Sequence, residues 1–128
     1  MEPLPLPSIA TTIASETINI MADFFNGPYA WLRKMDNEWG GVGPNIADAV
    51  GGFPEEFGVS KALQEQFAEW AVEFENRCDD KDFDWFRWNW RGIELSKFLK
   101  REVGDRYNIV YHQPHEDPRF INAMFLII

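Results

Sequence analysis

The sequence predicts an α/β or α+β fold: a single small domain with two main helices packed on a small sheet. Three observations carry this expectation. Two long stretches, 60–78 and roughly 84–104, repeat their apolar residues at helical spacing. Short alternating segments lie before and after them, as strands would. Glycine- and proline-rich turns separate these stretches, so the helices and strands must layer on one another. At 128 residues, 45% hydrophobic and 16% aromatic, the chain can bury one core without staples.

In order along the chain, residues 1–7 alternate Pro with Leu and should be extended. From Ser8 to Ile20 the apolar residues Ile9, Ile13, Ile18 and Ile20 hold no single period. With Met21 as a candidate start, residues 1–20 are expected to form a flexible or loosely attached extension, and residues 21–128 the globular α+β domain. Asn26-Gly27-Pro28 marks a turn, after which Tyr29 to Met35 reads as a strand with Tyr29, Trp31 and Arg33 on one side. A loop carrying Gly40, Gly41, Gly43, Gly51 and Gly52 follows, with a short helix expected at 44–50. These glycines lack the Lys and Ser/Thr of a phosphate cradle and do not fit a dinucleotide fingerprint, so they read as a connection.

The first long helix is expected at 60–78, capped by Ser60. Leu63, Phe67, Trp70, Ala71, Phe74 and Cys78 make its apolar stripe, and Glu65, Glu69 and Glu73 run along the other side. Like charges four residues apart each cost a few tenths of a kcal/mol. Lys61 is placed to offset Glu65 and Arg77 to offset Glu73, while Glu69 has no such partner. The second helix should start at Asp82 or Asp84 and end at Gly104. Trp85, Trp88, Gly92, Leu95 and Leu99 share its buried face, flanked by Phe86, Ile93 and Phe98. Gly92 on that face points to close approach of a neighbouring element. Tyr107 to His112 alternates as a strand. Residues 120–128 read as a strand buried on both sides and antiparallel to 107–112, with a helix as the alternative.

The net charge is −9 and the pI about 4.6. That balance opposes direct nucleic-acid binding and docking on an anionic membrane. No apolar run reaches the length of about 18 residues that a membrane span needs. The amino terminus has no basic start of the kind a secretory signal carries. Cys78 is the only cysteine, so no intramolecular disulfide can form, which fits a cytoplasmic setting. Acidity alone also serves solubility. Its concentration between Glu65 and Asp84, interleaved with aromatics, reads further as a surface for a cationic protein. The residues expected at such an interface are Glu65, Glu69, Glu73, Asp79, Asp80 and Asp82 for steering, with Trp90 as an anchor at the side of its helix.

Other chemistry is weaker. His112 and His115, beside Glu116 and Asp117, are the only grouping that resembles metal ligands, but a solvated turn explains them and no second cluster completes a set. Asp79, Asp80, Asp82 and Asp84 lack the glycine and terminal Glu of a calcium loop. No nucleophile–base motif is visible, so no catalytic residue, metal or cofactor is assigned.

Between Leu63 and Pro118 the chain carries Trp70 in a helix, an acidic linker, then Trp88-Asn89, Gly92, Leu95 and Leu99, Gly104, Tyr111 and Glu116-Asp117-Pro118. This resembles a pattern in small acidic bacterial proteins that look like immunity proteins of toxin systems, including contact-dependent inhibition. The resemblance implies an immunity-type inhibitor that binds and neutralises a cognate basic, nuclease-like toxin. Two alternatives stay open: a small metal- or carboxylate-dependent enzyme, and a nucleic-acid mimic that inhibits a DNA-binding protein. A homodimer through the apolar residues 124–128 is a further partner expectation.

Overall fold

The computed structural model describes residues 14–34 and 41–128. The strands β1 (Glu16–Ile20), β2 (Pro28–Lys34) and β3 (Asn45–Asp48) precede the helices α1 (Lys61–Arg77) and α2 (Trp85–Val103), and β4 (Asn108–His112) and β5 (Met124–Ile127) follow. The strands form one sheet in the order β3-β2-β1-β4-β5. β1 and β4 are parallel and every other pair is antiparallel. The expected α+β architecture is therefore present, with both helices on the face carrying Ile18, Ile20, Ile109 and Tyr111.

Each helix begins and ends where local chemistry dictates. Ser60 accepts a hydrogen bond from the Leu63 amide and Asp84 accepts one from the Arg87 amide, satisfying donors that a first turn leaves open. Gly104, with φ of 62°, ends α2 in a conformation that side chains disfavour. The expected stripes are the buried ones: Leu63, Phe67, Trp70, Ala71 and Phe74 from α1, and Trp85, Trp88, Gly92, Leu95 and Leu99 from α2. At the crossing, Trp70 and Trp88 stack with ring centres 4.3 Å apart. Each indole Nε1 donates to the other residue's main-chain oxygen at 2.9 Å. Gly92 lies against this pair and against Tyr111 of β4, the close approach its position in the stripe implies.

Four expectations change. Residues 16–20 do not belong to a loosely attached extension: they are β1, the central strand of the sheet. The segment Glu16-Thr17-Ile18-Asn19-Ile20 does alternate, sending Ile18 and Ile20 inward, but only over too few residues to stand out from the irregular stretch before it. Residues 1–13, the remainder of that expected extension, lie outside the described residues. The short helix expected at 44–50 is instead β3, because pairing with β2 satisfies its backbone and Asn45 donates to both the Ala30 and Ala47 carbonyls at 2.9 Å. The grouping of Tyr29 with Trp31 and Arg33 fails because the β2–β3 register shifts around Ala30. Tyr29 stacks on Phe67 at 4.9 Å, while Trp31 and Arg33 stand opposite Asn19 and Thr17 on the other sheet face. β5 pairs antiparallel with β4 as expected, yet it is an edge strand in which only Ile127 is fully buried.

Candidate binding surface

The acidic residues of α1 divide by where the second helix lies. Glu65 and Glu69 point outward and make no ion pair among the described residues. Glu73, one turn on, leans toward α2 and pairs with Arg87 at 2.8 Å. The pairing of Arg77 with Glu73 foreseen along α1 is thus displaced: Arg77 instead meets Asp80 in the linker at 3.0 Å. No ion pair joins Lys61 to Glu65. Asp79 and Asp82 are exposed in the linker, and Asp84 is spent on the α2 cap. By helical rise, the strip from Glu65 around the end of α1 to the linker extends about 20 Å.

Trp90 belongs to a different surface. It is 38% exposed and meets Phe86, itself 62% exposed, edge-on at 6.2 Å. Both stand on the flank of α2 turned toward β5. Arg87 and Arg91 project from the opposite flank toward α1, Arg91 donating to Gln66 at 2.6 Å. A basic row therefore separates Trp90 from Glu65 and Glu69, and the structure does not gather the expected interface residues into one patch.

Beside Trp90, α2 and the segment joining β4 to β5 enclose a groove of about 310 Å³. Its polar wall is a network that the sequence did not reveal. The side chain of Asp117 is fully buried, and one of its oxygens accepts from Asn89 Nδ2 and Gln113 Nε2, each at 3.1 Å. The other accepts from the Arg119 amide at 2.9 Å and from Arg119 Nε at 3.4 Å. Tyr111 donates its hydroxyl to Asn89 Oδ1. Burial alone would raise the Asp117 pKa, but these hydrogen bonds from Arg119 and Gln113, with the guanidinium charge, outweigh it and hold the carboxyl below its ordinary value. The visible signal was Asp117-Pro118, a turn-forming pair; its partner Asn89 is 28 residues away and only the fold supplies it.

Glu116 is exposed next to Asp117, and its charge is felt at Cys78 at the end of α1. Burial, then the charges of Asp79 and Glu116, raise the Cys78 thiol pKa, which makes the thiol a poor nucleophile. The two histidines are engaged separately. His112 is largely buried, its Nε2 lies 2.7 Å from Asn19 Oδ1, and burial lowers its pKa to about 4. The Asn19 amide nitrogen donates to the Val42 carbonyl, so its oxygen is the acceptor and His112 carries its proton on Nε2. His115 packs against Phe120 with the rings tilted and their centres 4.4 Å apart. Among the described residues no group of at least three His, Cys, Asp or Glu side chains is placed to hold a metal ion, and no helix is long and apolar enough to cross a membrane.

No protein-family model, curated protein or solved structure matches the chain.

Proposed function

We propose that the chain is an immunity-type inhibitor that binds and neutralises a basic, nuclease-like toxin domain in the cytoplasm, using its acidic surface to reach and cover the target's cationic cleft. The observation that supports this most is the pair Glu65 and Glu69. They stand one turn apart on the outer side of α1, and neither makes an ion pair among the described residues. Like charges so spaced cost the helix a few tenths of a kcal/mol and contribute nothing to the core. A cationic partner reverses the sign of that contribution. Asp79 and Asp82 extend the same field around the end of α1, and the net charge of −9 steers any basic protein toward it. Glu73 and Asp80 take part with their own arginines and contribute less than their position in the sequence implies.

The test is capture from the source cell at low and at high salt, with wild type and the double variant Glu65→Lys/Glu69→Lys run in parallel. Wild type should retain one basic protein in stoichiometric amount, release it at high salt and abolish its activity on nucleic acid. The variant should lose it. Equal retention by both proteins, or a captured partner that is not basic, overturns the proposal.

A further inference from the structure

The flank of α2 that carries Trp90 has the form of a place for one more strand. In the β4–β5 pair, Tyr111 stands opposite Phe125 and Ile109 opposite Ile127, so Phe125 and Ile127 face the helix layer. β5 is the last strand in the sheet order, and among the described residues nothing pairs with its outer edge. Next to it, α2 presents the exposed rings of Phe86 and Trp90, and Ile121, 71% exposed, closes the far wall. The groove between them has the size of a small ligand pocket and suits a few apolar side chains.

The chemistry of the walls limits what can enter. Asn89 Nδ2 donates to the Trp85 carbonyl and Asp117, and its Oδ1 accepts from Tyr111. Gln113 gives its amide hydrogens to Asp117 and the Arg119 carbonyl, while its oxygen accepts from the Ile121 and Ala123 amides. Each Asp117 oxygen already holds two donors. The Asn89 amide hydrogens, the Gln113 side chain and both Asp117 oxygens are therefore engaged within the wall, and Arg119, half exposed, is the polar side chain of the lining with donors still turned to solvent. The groove offers an occupant carbon surface and, along β5, a row of main-chain donors and acceptors. Edge strands are commonly blunted by charges or proline; Met124-Phe125-Leu126-Ile127 has neither.

Charge selects among occupants. Exposed carboxylates flank the groove's lining residues in the chain, Asp84 at the amino-terminal cap of α2 two residues before Phe86 and Glu116 next to Asp117, while the Arg119 guanidinium in the wall is paired with Asp117. A second copy would bring another net charge of −9, and its own β5 has no cation to meet these carboxylates. We propose that β5 and this groove form a strand-docking site for an extended segment of a partner protein. Alternate apolar side chains of that segment enter between Phe86, Trp90 and Ile121, and lysines or arginines flank it at the end nearest Asp84 and Glu116. Main-chain pairing supplies affinity, and the groove and the acidic rim supply selection. This goes beyond the inhibitor reading, since it stands whatever activity the partner has.

The test titrates the isotope-labelled full chain with two capped synthetic peptides that share an alternating Val-Thr core, one with a Lys tail and one with a Glu tail, read by amide and indole NMR shifts. The Lys peptide should shift the amides of residues 124–127 and the Trp90 indole, saturably, and bind at least about tenfold tighter than the Glu peptide. Ile121→Lys, a change at an exposed position, should weaken it about tenfold, while Glu65→Lys/Glu69→Lys should leave it in place. That last variant separates this site from the α1 surface, because it should lose a basic toxin and keep the peptide. Shifts confined to α1, equal binding of the two peptides, binding unaffected by Ile121→Lys, or β5 shifts that appear on concentrating the protein alone would each overturn the proposal.

Discussion

Replacing Gly92 by alanine tests the packing on which the helix pair rests. On helix propensity alone the change should stabilise α2 by about 1 kcal/mol. The structure reverses that sign. A Cβ on Gly92 would lie 2.5 Å from Tyr111 Cε1, 2.6 Å from Trp70 Cζ2 and 2.9 Å from Trp70 Cε2. Carbon atoms pack best about 3.5–4.0 Å apart, so three contacts are repulsive at once. Neither ring can swing away cheaply. Trp70 is held against Trp88 by the 4.3 Å stack and by reciprocal indole hydrogen bonds of 2.9 Å. Tyr111 sits in β4 between two strands with its hydroxyl bound to Asn89. Overpacking of this kind costs about 1–3 kcal/mol, and a strained indole hydrogen bond adds about 1 more. After the propensity gain is subtracted, Gly92→Ala should lose about 1–3 kcal/mol. Urea unfolding followed by tryptophan fluorescence should show a midpoint lower by about 1 M with an unchanged slope. Trp70→Phe removes two of the three offending atoms, so in a double-mutant cycle part of the loss should be recovered. A Gly92→Ala protein as stable as wild type would refute the close approach of α1 and β4 to α2.

Three further outcomes follow from the same structure. The buried Tyr29 hydroxyl has no hydrogen-bond partner among the described residues, and burial pushes its pKa up; Tyr29→Phe keeps the stack on Phe67, so melting temperature should hold or rise by the equivalent of about 1 kcal/mol. His112 is held neutral, its pKa lowered by burial from 6.5 to about 4, so the unfolded chain takes up its proton first as pH falls. Its stabilising share should be complete above pH 6.5, shrink between there and about 4, and leave a pH slope in urea midpoints that His112→Gln flattens. Glu69→Lys should raise stability by a few tenths of a kcal/mol by easing repulsion along α1, while stopped-flow mixing with a captured basic partner should show slower association.

The helices were legible in the sequence because their signals are local. Ser60 and Asp84 cap within three residues, and the stripes from Leu63 to Phe74 and from Trp85 to Leu99 repeat at a spacing that only a helix places on one face. Even the special role of Gly92 could be read, since a glycine in an apolar stripe has few reasons to be there. The short strands were less legible. β1 has five residues and β3 four, and pairing with neighbours, more than their own pattern, makes them strands. The candidate surfaces show the same division. Which residues are acidic was plain, but Glu73 faces Arg87 and Trp90 faces away from Glu69 because α2 lies where it does.

The sequence by itself therefore determined the fold class, both helices with their caps and buried faces, and the acidic charge balance. Only the tertiary structure decided that residues 16–20 are the centre of the sheet, that β5 is its edge, and that Asn89, Gln113, Asp117 and Arg119 join in one network beside an apolar groove. Periodicity and capping act over a few residues and are written in neighbouring letters. Strand order and buried polar partnership join residues far apart in the chain, as Asn89 and Asp117 are, and nothing in either local segment specifies the other.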